Sequence, residues 1–331
     1  MKETEIVEIE DNGEDERAGG GLWMKLALGL GATIGVVAAT NALIAHRTGP
    51  AKLELEGVFA RYPARHGDLA YTVSGAGSPV LLLHDPGVGG SMAEWENNFD
   101  VLAQHHTVYA FDYLGWGLSD KPAHRYGPED FIEQIQYFAE DVVAEPCAVL
   151  ASGRSGAFAL EAARRAPQWF TKFILICPAT SEDNEIHEVK ENLLPLLQAP
   201  IAGQSVLNLL TSRARIAERQ RQVFFHDENK ADDALVDRLY NSAHQPGARH
   251  GLAALFTGNL DYDWREAWSQ LEKPATIMWG RDALGNGLET APEWLALSPD
   301  ARLEVVDDAK LRPHIEQAEK WNELTLEWLK D

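Results

Sequence analysis

From Leu53 onward the chain alternates short, continuously apolar runs with amphipathic stretches, and this alternation restricts the fold more than any other feature. "SPVLLLHDPG" is an unbroken apolar run of the kind that a strand covered on both faces requires. It is followed by a helical stretch "SMAEWENNFDVLAQHH", a strand "TVYAFDY", a helix "GPEDFIEQIQYFAEDVVAE", a strand "CAVLAS", a helix "SGAFALEAARRA" and a strand "FTKFILICP". The second of these helices opens with Pro128 in its first turn, and Glu129 and Asp130 complement the helix dipole. Upstream, "LEGVFARYPARHG" and "DLAYTVSGAG" read as a strand pair joined at His66-Gly67. The pattern predicts an α/β fold with a mostly parallel, doubly wound sheet.

The alternation stops after Pro178. Residues 179–272 hold no convincing strand but several amphipathic helical stretches, among them "IHEVKENLLPLLQAP", "SVLNLLTSRARIAERQRQVFF" and "DDALVDRLYNSA", and read as an inserted helical lid. Strands "KPATIMWG" and "ARLEVVDD" then lead to the closing helix "HIEQAEKWNELTLEWLKD". The core is thus expected in two parts, 53–178 and 273–331, around the lid.

Ahead of the core, residues 1–21 are acidic, end in glycines and lack periodicity, the composition of a disordered tail. Residues 22–46 read as a single transmembrane helix: Leu26 to Ala45 carry no formal charge, and such a stretch spans a hydrocarbon core of about 30 Å. Trp23 and Lys25 before it, and His46 and Arg47 after it, suit interfacial flanks. A cleaved signal peptide would start with a short positive segment, and this start is long and negative. Gly31 and Gly35 form a G-x-x-x-G that suggests a homodimer, and Arg47, Lys52 and Arg61 place the large domain on the cytoplasmic side.

A net charge of −22 argues against a nucleic-acid partner, because it lacks the cations that neutralise phosphates. Two cysteines, Cys147 and Cys177, lie in strand-like runs without metal-ligand spacing and read as buried thiols. No zinc signature, nucleotide loop or dinucleotide fingerprint stands in a suitable context, so neither metal nor cofactor is expected.

The order strand, "HDPGVGGS", strand, "FDYLGWGLSDKP", strand, small-residue elbow, helical insertion, "PATIMWG", "ARLEVVDD" and "PHIEQAEKWNELTLEWL" resembles the α/β-hydrolase family over about residues 53–331. The resemblance implies a Ser-His-Asp triad under the lid, and each of its positions is altered. In the family's spacing, counting from Pro146 and back from Pro167, the nucleophile slot on the "ASGRSGA" elbow is Gly153. The haloalkane- and epoxide-cleaving relatives would carry an aspartate there. An off-register elbow would instead present Ser155, at the cost of shortening the following helix. The acid position after "MWG" becomes Ala283, with Asp282 one residue early, and the base position before "PHIE" becomes Leu311. Leucine cannot take a proton, and a serine without a base stays protonated. His84-Asp85-Pro86 replaces the early "H-G" segment, so the oxyanion-hole donor position is a proline without an N–H.

These departures predict a membrane-anchored pseudoenzyme binding an apolar small molecule or a protein partner, with no intact catalytic residue. The alternative is an active hydrolase of small, apolar ester-like substrates using a displaced triad of Ser155, Asp282 and His314, with Ser152 as a second hydroxyl. A cofactor-free lyase or oxygenase would instead rely on His84, Asp85 and Arg154. The region around His84, Asp85, Pro86, Ser152 and Arg154 is therefore where the chemistry of this chain is to be sought.

Overall fold

The computed structural model describes residues 35–52, 54–178, 194–284 and 287–330. The expected acidic tail, Gly31, the first part of the expected membrane span and residues 179–193 of the expected lid lie outside them. The chain divides into two units, 1–46 and 47–331. The described part of the first is helical, within a helix over residues 35–47, and a Cβ added at Gly35 would meet nothing within 4 Å. Among the described residues no helix is long and apolar enough to cross a membrane.

The second unit is built on an eight-stranded sheet: β1 (Val58–Ala64), β2 (Gly67–Gly75), β3 (Pro79–Leu83), β4 (Thr107–Phe111), β5 (Cys147–Ser152), β6 (Phe170–Ile176), β7 (Ala275–Gly280) and β8 (Arg302–Val306). Their order is β1-β2-β4-β3-β5-β6-β7-β8. β2 pairs antiparallel with both β1 and β4, and every other pairing is parallel. Every residue of β5 and β7 is buried, which explains their continuous apolar sequences: both faces of these strands are covered.

Helix α1 (Pro128–Phe138) packs beside α2 (Ser155–Arg165), where Phe131 and Phe158 stack with ring centroids 5.0 Å apart. Between β6 and β7 the described residues form helices and no strand, including α3 (Ala202–Leu210), α4 (Asp233–Ala243) and α5 (Ala248–Phe256). This insertion has two apolar clusters of its own, one around Leu207 and Leu252, the other around Phe225 and Leu239. Val88, in the loop after β3, packs against both and so ties the insertion to the end of the sheet where the site lies.

Local propensity misplaced several boundaries. The stretch expected as one helix from Ser91 is a 3-10 turn, Met92–Trp95, and a short helix, Phe99–Ala103. Buried Asn98 sits at the break and donates to the His314 carbonyl and the Asn322 side chain, both at 2.9 Å, so tertiary partners replace helical continuity. The helix expected from Ser205 through Phe225 breaks after α3, where the Thr211 hydroxyl donates back to the Leu207 carbonyl at 2.6 Å. Helix α5, "ARHGLAALF", follows Gly247, whose φ of +86° makes the turn into it. The closing helix α6 (Ala318–Lys330) buries Trp321 and Trp328 against the core.

Candidate active site

β5 ends at Ser152, α2 begins at Ser155, and Gly153 between them has φ +56°. This is the strained strand-to-helix turn that exposes a nucleophile in serine hydrolases, and it identifies Gly153 as the apex. The Gly153 N–H donates to the Ile176 carbonyl at 3.0 Å, and its own carbonyl accepts from Gly156, which fixes the turn against β6.

Asp85 stands over this apex. A Cβ on Gly153 would come within 2.7 Å of the Asp85 Oδ1 and 2.8 Å of its Cγ. The same Oδ1 accepts the Arg154 backbone N–H at 3.1 Å, with the Arg154 guanidinium 3.6 Å away. The N–H following the apex is the donor that would stabilise an oxyanion in acyl transfer. Here it is engaged by the chain's own carboxylate, and Pro86 offers no second donor.

Behind Asp85 lies a buried network absent from the sequence reading. The Asp85 N–H donates to the Glu94 Oε2 at 3.2 Å, and His314 Nε2 lies 3.1 Å from the Glu94 Oε1. Ser152 also hydrogen-bonds the Glu94 carboxylate, and the charge of buried Arg312 acts on it. Burial opposes ionisation of Glu94, but Arg312 and the hydrogen bonds of His314 and Ser152 outweigh it and hold the carboxyl at about 2. Burial pushes the His314 imidazole below its ordinary value against the pull of Glu94. A neutral His314 therefore donates from Nε2, while its Nδ1 has no partner among the described residues. Its ring lies against Trp95, centroids 4.9 Å apart.

The residues of the displaced triad are not brought together. Ser155 is fully buried; its hydroxyl donates to the His84 carbonyl at 2.6 Å and accepts from Tyr113 at 2.9 Å. His314 faces Glu94. Asp282 lies on the surface, 2.9 Å from the His226 Nδ1. No hydrogen bond joins any two of Ser155, Asp282 and His314 among the described residues. Of the residues expected at the acid and base positions, Ala283 is buried and Leu311 packs against the main core.

His84 is a packing residue as much as a polar one. Its Nε2 accepts from the Tyr113 N–H at 3.4 Å and its Nδ1 donates to the Asp85 carbonyl at 2.9 Å, so both ring nitrogens are spent on backbone. A cavity of about 560 Å³ opens elsewhere, beside α4, with Lys52, Glu54, Glu96, Lys230, Asp237 and Arg238 among its walls. None of the residues 84–86, 152–155, 283 or 311 lines it, so its charged walls do not provide the apolar pocket expected at the elbow.

The model of the alpha/beta hydrolase family matches residues 80–324, a range that takes in the elbow, the insertion and most of the closing helix. The chain belongs to the α/β-hydrolase family. Among curated proteins it is similar to the 2-hydroxy-6-oxo-6-(2'-aminophenyl)hexa-2,4-dienoic acid hydrolase of Metapseudomonas resinovorans, 24% identical over 266 residues, covering 78% of this chain and 86% of that one. A pimeloyl-[acyl-carrier protein] methyl ester esterase of Aliivibrio fischeri is 28% identical over 253 residues, 75% of this chain and 91% of that one. Among solved structures, a serine hydrolase involved in carbazole degradation superposes with a TM-score of 0.70 at 22% identity, over 83% of this chain and 99% of that one. At that identity the superposition speaks for the α/β-hydrolase fold alone. Family membership and the eight-stranded sheet agree with the resemblance read from the sequence.

Glu94, Tyr113 and Arg312 were missed because each sits in a stretch with an ordinary local explanation. Glu94 reads as one acid on a helix surface, and only the fold buries it. The nearest sequence signal is its place inside "SMAEW", beside a tryptophan.

Proposed function

We propose that this α/β hydrolase has given up the serine-based acyl transfer of its family and uses the retained fold to bind a small apolar molecule or a protein partner. One observation carries the reading: the Asp85 carboxylate fills the space into which a nucleophile would project and takes the N–H that an oxyanion would need. A negative oxygen developing beside Asp85 would be repelled, and losing a single oxyanion donor costs about 2.7 to 4 kcal/mol of barrier lowering. The absence of a proton acceptor at Leu311 points the same way. The helical insertion would act as the lid over this region, and a retained membrane helix within residues 22–46 would hold the domain at a lipid surface, with Gly31 and Gly35 as the contact in a dimer.

A second reading is an active hydrolase of small, apolar ester-like substrates, and the comparisons favour it, because the curated relatives above are named as a hydrolase and an esterase. Ser152 is then the better hydroxyl than Ser155, since it touches the Glu94 carboxylate next to His314. It would require His314 to turn from Glu94 toward Ser152, and Asp85 to leave the Arg154 N–H.

Fluorophosphonate labelling and turnover of short-chain esters by the full chain in detergent separate the two. No labelling and no turnover above buffer is the expected result. Labelling abolished by Ser152→Ala but kept in Ser155→Ala would overturn the proposal and establish the hydrolase.

A further inference from the structure

Three residues far apart in sequence meet at the edge of the sheet, away from the elbow. His66 is at the tip of the β1–β2 turn, His124 lies in the loop before α1, and Asp130 is in the first turn of α1. One potential ligand atom from each lies within 4.8 Å of the other two. The imidazoles of His66 and His124 stack with centroids 4.4 Å apart and planes 25° apart. His124 Nε2 is 2.8 Å from the Asp130 Oδ1, while the Asp130 Oδ2 accepts the Gly127 N–H at 2.8 Å.

The two oxygens of Asp130 therefore have separate tasks. One caps α1 and holds the carboxylate in place; the other faces the histidines. Capping accounts for the position of Asp130 but not for His66, whose ring nitrogens make no hydrogen bond with any described residue. Two imidazoles and a carboxylate are a donor set for a divalent transition-metal ion, above all zinc. Metal–ligand distances of about 2.0 to 2.2 Å need only a small opening of the His124–Asp130 contact and a rotation of the exposed His66 ring. The net charge of −22 adds a general attraction for cations.

We propose that His66, His124 and Asp130 form a binding site for a divalent transition-metal ion such as Zn2+, clamping the β1–β2 turn to the N-terminal end of α1. Three protein ligands leave a further coordination position open to water. The site is independent of the elbow, and it stands whether or not the elbow is catalytic.

The test is titration of the chelator-stripped full chain, carrying no polyhistidine tag, with Zn2+ against a chromophoric competitor. One saturable equivalent is expected, with affinity at least tenfold weaker in His66→Ala and in His124→Ala, and unchanged in His226→Ala. Co2+ in place of Zn2+ should give visible d–d bands that His124→Ala removes, and His124→Gln serves if the alanine variant does not fold. Absence of a saturable equivalent, or an affinity unchanged in either histidine variant, would overturn the site and leave a hydrogen-bonded helix cap only.

Discussion

The elbow and the β1–β2 edge treat their polar groups in opposite ways. At the elbow, Asp85, Glu94, Ser152, Ser155 and His84 are each bonded to another group of the same chain, and all are buried. At the edge, His66 is exposed and His124 and Asp130 are part-buried, so donor atoms remain within reach of a solute. Burial explains the difference: a polar group removed from water must find a partner or cost about 1 to 3 kcal/mol, whereas an exposed one can wait for a ligand. A site whose polar groups are mostly bonded within the chain, the His314 Nδ1 excepted, is built for stability, and altering it should change folding before it changes chemistry.

The largest effect should follow from Glu94→Ala. Removing this carboxylate leaves the His314 Nε2–H and the Asp85 N–H without their acceptor in a buried site, and each buried donor left unsatisfied costs about 1 to 3 kcal/mol. Urea unfolding followed by tryptophan fluorescence measures it; a loss under 1 kcal/mol would mean that the elbow network is as dispensable as an exposed pair.

Gly153→Ser, which restores the family's hydroxyl, comes next. The left-handed backbone and the contact with Asp85 should together cost about 1 to 3 kcal/mol. Asp85→Ala placed in the same chain should recover part of that loss, and, if Leu311 holds the base position as proposed, esterase assays of both variants should stay at background. Turnover in the double variant would show that Asp85 alone silences the elbow.

The pH dependence has a definite sign. The folded Glu94 carboxyl, at about 2, lies below its unfolded value, so its stabilisation is present above the unfolded carboxylate range and lost as pH falls toward 2. His314 is also lowered on folding, so the unfolded chain takes up its proton first as pH falls below about 6.5, which again favours unfolding. Stability should therefore fall on acidification in two stages, the lower one missing in Glu94→Gln and the upper one in His314→Gln. Thermal midpoints between pH 7 and pH 3 would reveal it, and identical profiles for the wild type and both variants would remove the two groups from the account.

The smallest effect belongs to the surface pair. His226→Ala breaks the contact with Asp282, both side chains nearly half exposed, and exposed pairs contribute about 0 to 1 kcal/mol. A larger loss in urea would give Asp282 a structural role beyond that pair.

Most of the core was legible because buried parallel strands and amphipathic helices write their environment into local patterns. "SPVLLL" and "CAVLAS" could hardly be anything but covered strands, and the small-residue stretch "ASGRSGA" marked a tight turn from strand to helix. Helix continuity was less legible: Asn98 and Thr211 break helices through bonds to partners that local propensity does not contain. Of the site, the sequence offered His84, Asp85, Pro86, Ser152 and Arg154 as neighbours, but not the buried Glu94 behind Asp85.

By itself the sequence determined the α/β class and the family, because these depend on residue type and on spacing along the chain. Tertiary structure alone decided what stands over the turn between β5 and α2. Asp85 meets Arg154 across 69 residues, Glu94 meets His314 across 220, and His66 meets His124 across the β1–β2 edge. Hydrogen bonds and ion pairs act over a few ångströms of space, whatever the separation along the chain, so only folding could bring these partners together.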